Sequence, residues 1–263
     1  MAWSQPKVNW TAGDGIGSAD LNLIGTNANG YEGFINNLHL VKNSGNELKI
    51  FDGMAYIDGL QKIIKKPSIT TKLLTSDRWT SGSGVAGKAF AVTITNNVFY
   101  HVFLLSNSVG VTDIAFDSDY DGGNILIDSN IQAAGYIYKR RIGAILYRYG
   151  IYNFFQINNQ FCINFELSGE VTSIDPIFFP LPSKNIILNF VKLTVDESIP
   201  SPTYGVTFST TAEGVNYTEH VLPGETVYAD LPSSTGIMEI SADLVDCNFS
   251  MKISSYIDNR GAY

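Results

Sequence analysis

Charge, cysteine and proline are all scarce in this chain of 263 residues, and each shortage removes a class of explanation. Charged side chains amount to 16% of the residues, so polarity comes mainly from Asn, Ser, Thr and Gly, a mixture that suits β-strands joined by tight turns. Basic residues are outnumbered, 17 against 25 acidic ones, for a formal net charge of −8. No basic run exceeds Lys139-Arg140-Arg141, so the electrostatic footprint of a phosphate-backbone binder is missing and no nucleic-acid partner is expected. No apolar run approaches the roughly 18 to 20 residues that span a bilayer as a helix, so no membrane insertion is expected. The start MAWSQPKVNW lacks a basic stretch followed by an apolar one, which predicts no Sec-type export. Cys162 and Cys247 are too few for a disulfide framework or a zinc set, and both fall in strand-like stretches, which predicts two buried, reduced thiols. Asn9, Asn216 and Asn248 open N-x-S/T triplets, which without a secretory signal are expected to stay unglycosylated.

What is present falls into three segments. In the first, residues 1–45, Ser18 stands as an N-cap and Asp20 in a first turn, predicting a helix from about Ser18 to Val41. Its apolar residues Leu21, Ile24, Ala28, Tyr31, Ile35 and Leu38 recur in steps of three and four, as along a coiled-coil seam. Gly25, Gly30 and Gly33 each cost roughly 1 kcal/mol relative to Ala in a helix, and Asn residues are poor helix formers, so this helix needs packing to persist. Two packings fit: a face laid on the chain's own β domain, or a seam shared between chains, with a homotrimer as the expected assembly.

Residues 46–166 and 167–263 read as strands. LKIF and MAYI are divided by Asp52-Gly53, MAYI and LQKII by Asp58-Gly59, and AFAVTIT and VFYHVFLL by Asn96-Asn97, three predicted hairpins. Both faces of VFYHVFLL are apolar, which predicts a central strand. VTDIAF, NILID, YIYKRRIGAILY and the hairpin IYNFFQI-NN-QFCINFEL follow. Beyond DPIFFPLP, strands are expected at IILNFVKLTV, TYGVTFSTT, ETVYADL, GIMEISADL and CNFSMKISSYI, the last alternating strictly between apolar and polar residues. The expected fold is mainly β: a short N-terminal helix followed by an antiparallel β-sandwich, jelly-roll-like domain or domains, with 167–263 completing the first sandwich or forming a second.

Trp10-Thr11-Ala12-Gly13-Asp14-Gly15, then Ser18-Ala19-Asp20-Leu21-Asn22 and Asn27, resemble the N-terminal segment of bacteriophage tail-fibre and baseplate proteins. A second stretch is similar to a recurrent phage segment: Tyr100-His101-Val102-Phe103, Asp113-Ile114-Ala115-Phe116-Asp117, Tyr138 with Arg140-Arg141-Ile142-Gly143, and Phe154-Phe155-Gln156. The resemblance covers about residues 10–24 and 98–165. It implies a virion structural protein of a phage tail, a trimeric fibre or fibre-like appendage made in the host cytoplasm. The implied partners are other tail or baseplate proteins and, in its receptor-binding form, host-surface glycans; it implies no catalytic residues. Two alternatives are a carbohydrate-binding or adhesin module outside a phage and a polysaccharide-degrading tail enzyme.

Asp117-x-Asp119-x-Asp121-Gly122, with Asp128 at the twelfth position, has the oxygen-ligand spacing of a calcium loop. It departs from that pattern at Asn124, in ending on Asp rather than Glu, and in being flanked by strand-like sequence, so the expectation is a solvated acidic loop with no metal and no cofactor. His39, His101 and His220 sit in no nucleophile motif, and G-x-S-x-G, HExxH and GxxxxGK[ST] are absent. Asp175, Asp196, Glu197, Glu213 and Glu225 are the carboxylates from which folding would have to assemble a glycosidase pair. Arg140 and Arg141 are expected to anchor a strand and its interface through carboxylates or carbonyls. No catalytic residue is assigned.

Overall fold

The computed structural model describes residues 35–57, 62–157, 159–171, 177–181, 186–195, 205–233, 237–243 and 247–258. The expected helix therefore lies, as far as residue 34, outside the described residues, and Leu21, Ile24, Ala28 and Tyr31 with it. From residue 35 on the chain forms two short strands instead, β1 (Ile35–Asn37) and β2 (Leu40–Ser44), with a bend between them. The adjacent Asn36 and Asn37 are poor helix formers, and the sheet partners on β3 (Glu47–Ile50) and β4 (Gly53–Ile57) supply hydrogen bonds that an isolated helical turn here would not secure.

β1–β2 and β3–β4 are one bent hairpin. Its tip is Gly45-Asn46, between Ser44 and Glu47, and not Asp52-Gly53 as expected. The ladder runs from Leu40 opposite Ile50, through Phe51 N–H to His39 carbonyl and Leu38 N–H to Asp52 carbonyl, to Asn37 opposite Gly53. At the bend Asn37 and Leu38 are left-handed, φ 57° and 53°, and a Cβ on Gly53 would lie 2.5 Å from both Asn36 O and Leu38 N. Gly53 is thus the residue that lets the hairpin turn a corner between two sheets. β1 and β4 continue with β5 (Lys62–Lys66) into a three-stranded sheet. β2 and β3 join a seven-stranded sheet with β6 (Thr70–Arg78), β7 (Val85–Lys88), β8 (Val98–Ser106), β9 (Thr112–Asp117) and β10 (Tyr138–Tyr147), ordered β10-β8-β9-β7-β6-β3-β2.

β8 is an interior strand, paired with β10 and β9, next to the edge of the sheet and not at its centre; its two apolar faces fit a strand covered on both sides. AFAVTIT is not its partner. Residues 89–97 are irregular, and their polar groups are met from elsewhere: Tyr100 Oη accepts from Thr95 N–H and donates to Thr93 carbonyl, while Asn97 N–H reaches Tyr147 carbonyl. NILID is likewise not a strand. It leads into α1 (Ser129–Ala133), which Asp128 caps by accepting from the Asn130 and Ile131 amides. The sheet is antiparallel except at β7, which runs parallel to β6 and β9.

Sheet membership changes between Tyr147 and Phe155. β11 (Phe155–Ile157), β12 (Gln160–Val171), β19 (Cys247–Asp258), β14 (Ile186–Val195) and β17 (Thr226–Ser233) form a five-stranded antiparallel sheet in that order. β13 (Ile177–Pro180), β18 (Ile237–Ala242), β15 (Val206–Ala212) and β16 (Val215–Val221) form a four-stranded one. The two face each other, with Phe208 of β15 edge-on to Phe249 of β19 at 5.8 Å. Here the period-two pattern holds: cross-strand rows Phe165–Ile253–Val191 and Met251–Leu193 point inward, and Glu166–Lys252–Lys192–Tyr228 points outward. The described residues are mainly β.

Candidate functional site

Of the two stretches that carry the phage resemblance, the first lies outside the described residues, and the pieces of the second come together in space. Tyr100–Phe103 lies on β8, Asp113–Asp117 on β9 and Tyr138–Gly143 on β10, three neighbouring strands, and Phe154–Gln156 enters β11 beside them. They build the joint between the first pair of sheets and the second. Arg141 grips Asp258, at the end of β19, with two charge-assisted hydrogen bonds, Nη1 to Oδ1 at 2.8 Å and Nη2 to Oδ2 at 2.7 Å. Its Nε donates to His101 Nδ1 at 3.1 Å, which assigns the lone pair to that nitrogen, and its guanidinium lies 4.6 Å from the centre of the Tyr120 ring. Burial alone would lower the Arg141 pKa, but the Asp258 carboxylate outweighs it and holds the guanidinium above its ordinary value.

Tyr256, two residues before Asp258, stacks on Phe161 with centroids 5.1 Å apart and donates its hydroxyl to Ala144 carbonyl at 3.0 Å. Burial, then the Asp258 charge, pushes that phenol well above its ordinary pKa, so it stays a donor. At Gly143 the β10 ladder shifts register, and a Cβ there would lie 2.8 Å from Leu40 Cδ1 and 3.0 Å from Phe161 Cζ. Glycine allows the two modules to close on each other. Gln156 Oε1 completes the joint by accepting from Leu40 N–H at 2.8 Å.

Beside the joint, on the outer surface, a cavity of about 570 Å³ is lined by Tyr152, Asn153, Phe154 and Phe155 of the connecting segment and by Cys162, Ile163, Asn164 and Ser254 of the second module. The β12 ladder shifts between Cys162 and Phe165, and Asn164 within that bulge is left-handed, φ 45°, a conformation Asn tolerates better than most residues. Cys162 is a free, half-buried thiol whose pKa burial raises, more accessible than the buried thiol expected.

The acidic loop after β9 is tied up internally. Asp117 accepts from Asp119 N–H and from both the backbone and side-chain amides of Asn124; Asp119 accepts from Asp121 and Gly123. The Lys139 ammonium docks on the Asp121 and Gly122 carbonyls, and Asp128 faces α1, Phe90 N–H and Arg78 instead. Among the described residues no group of three His, Cys, Asp or Glu side chains is placed to hold a metal ion.

The other expected site residues scatter. Ile35 is half-buried on β1 and Leu38 is fully buried in the core of its own chain, which removes Leu38 from a seam between chains. Glu213 occupies the β15–β16 turn and Glu225 accepts from Leu222 N–H; Asp175, Asp196 and Glu197 lie outside the described residues. Sequence reading missed a Thr207, His220, Asp243 alignment: Thr207 Oγ1 is 3.0 Å from His220 Nδ1, and His220 Nε2 is 3.5 Å from Asp243 Oδ2. It resembles a nucleophile, base and acid only in order. Thr207 and His220 are an ordinary cross-strand pair, and both His220 and Asp243 are exposed, so nothing desolvates or orients a reacting hydroxyl.

No family model matches the chain, and no curated protein does. Among solved structures, tripeptidyl peptidase 2 is similar at 9% identity and a TM-score of 0.23, over 82% of this chain and 19% of that one. A Bacillus thuringiensis Cry1Da tryptic core variant is similar at 10% identity and a TM-score of 0.12, over 86% of this chain and 50% of that one. The chain spans less than two thirds of either structure, and likenesses at this level carry no argument.

Proposed function

We propose that the chain is a structural component of a bacteriophage tail, a fibre or fibre-like appendage in which each module is a jelly-roll-like β-sandwich, assembling as a homotrimer with other tail or baseplate proteins. The observation that supports this reading is the convergence of the pieces of the second resembling stretch on a buried joint, with Arg141, His101, Tyr120 and Asp258 at its centre. A buried bidentate ion pair of that kind resists separation of the modules, which suits an appendage that must hold its shape under load. Leu21, Ile24, Ala28 and Tyr31 remain the proposed contribution of the N-terminal segment to the seam between chains.

Two measurements test it. Antibody-gold labelling of purified particles should decorate the tail, and light scattering after chromatography should give three chain masses for wild type and a smaller species for Ile24→Asp. Label absent from particles, or a wild-type monomer, overturns the reading. The cavity beside the joint favours a second reading, a carbohydrate-binding module that works outside a phage, which the same labelling separates from the first.

A further inference from the structure

The cavity between the connecting segment and β12 has a lining of one chemical kind. Its residues are aromatic, amide, hydroxyl, thiol and aliphatic, and none is Lys, Arg, Asp or Glu. At the rim the Lys42 ammonium already donates to Asn153 Oδ1 at 2.9 Å, so a cationic ligand would enter without a counter-charge and an anionic one would have to draw that lysine off the amide. Its volume lies within the roughly 300 to 1,000 Å³ typical of small-molecule sites.

Two lining side chains are available to a ligand. Phe155 is 58% exposed, an apolar ring left in water at the rim. Asn164 is exposed, its side-chain amide makes no hydrogen bond to another described residue, and the bulge presents it beside Phe155's cross-strand partner Cys162. Tyr152 already donates its hydroxyl to Asn164 carbonyl at 3.3 Å, which leaves its oxygen lone pairs as acceptors. A purely apolar ligand would bury the Asn164 amide and the Tyr152 oxygen unsatisfied. A small polar ion would leave Phe155 uncovered. A sugar ring answers both, because its C–H face covers an aromatic ring while its hydroxyls donate to and accept from an amide.

We propose that this cavity binds a neutral saccharide unit, its C–H face on Phe155 and its hydroxyls on Asn164 and Tyr152. The inference deepens the outward-facing, glycan-contacting part of the function proposed above and rests on that reading. Cys162 supplies a reporter, since a sugar in the cavity shields its thiol.

The test uses the full chain and the methyl glycosides of glucose, galactose, mannose and N-acetylglucosamine, read by saturation-transfer NMR and by the rate of maleimide labelling at Cys162. At least one glycoside should bind wild type and slow the labelling. Asn164→Gly keeps the left-handed backbone and removes the amide, and Phe155→Ala trims an exposed ring, so both variants should melt as wild type does while binding about tenfold more weakly, a loss of about 1.4 kcal/mol. The proposal is overturned if none of the four binds, if either variant binds as tightly as wild type, or if anilinonaphthalene sulfonate protects Cys162 where no glycoside does. Tail labelling that persists while every glycoside fails would overturn the site and leave the structural role standing.

Discussion

The two modules solve the same packing problem differently. In the first, Lys66, Lys72, Lys88, His101, Asp113, Asp117, Asp128, Arg140 and Arg141 are all buried; in the second, among the described residues, Asp258 is the one buried charged side chain. The reason is backbone regularity. Residues 89–97 and 118–137 of the first module cross the edge of the core without a ladder, and their polar groups must be met by side chains. Lys88 donates to the Ala89 and Val92 carbonyls, Lys72 to Thr80 carbonyl and to Asp113, and Asp128 accepts from Phe90 N–H. Among its described residues the second module keeps most of its backbone in ladders, and the side chains that meet its turns, such as Asp243 on Gly205 N–H and Glu225 on Leu222 N–H, do so at the surface. Buried charge here marks irregular backbone and the joint.

The sharpest way to break that contrast is at the joint. Asp258→Ala leaves the Arg141 guanidinium buried without its bidentate partner and should cost about 3–5 kcal/mol in denaturant unfolding, with the two modules no longer melting together. A loss under about 1 kcal/mol would mean the pair is ornamental and the modules are held by Tyr256 and Phe161 alone. Next, Lys88→Met removes the donor to two buried carbonyls and should cost about 1–3 kcal/mol, measured by the same titration.

The pH dependence should also belong to the first module. Burial holds the Lys66 ammonium, which donates to the Ile50 and Ser68 carbonyls, down to about 8. Between pH 8 and the ordinary lysine value the unfolded chain binds more protons than the folded one, so this lysine makes stability rise with pH across that window, by up to about 1.4 kcal/mol per unit. Lys66→Met should flatten that rise in melting curves; an unchanged slope would assign it elsewhere. The smallest effect is expected on the outer face of the second module, where Lys252→Ala, in the exposed row with Glu166 and Lys192, should change stability by no more than about 0.5 kcal/mol. A larger loss would show that the second module depends on charge after all.

Strands whose pattern is local were legible in the sequence. The alternation of Phe249, Met251 and Ile253 with Ser250 and Lys252 is the β19 that the structure contains, and the doubly apolar run from Val98 is β8, an interior strand paired on both sides. The expected hairpin tip at Asp52-Gly53 is a corner because the glycine serves close approach and not a reversal: its backbone packs against Asn36 and Leu38 of the opposite arm of the hairpin, where Asn37 and Leu38 are the left-handed residues. AFAVTIT has strand composition, yet a tyrosine hydroxyl and a lysine meet its backbone where a partner strand was expected. Ile35 and Leu38 fit a helical stripe and a strand equally, since spacings of three and four over so short a stretch do not exclude either.

By itself, the order of residues determined that this chain would be mainly β, because period-two patterning and turn residues act over a few neighbours. It also marked Arg140 and Arg141 as anchors. Only the tertiary structure decided which anchor meets Asp258, 117 positions away, and that Asn164 and Phe155 line one cavity. Those choices depend on which strands become neighbours, and strand neighbours are set by burial summed over the whole chain.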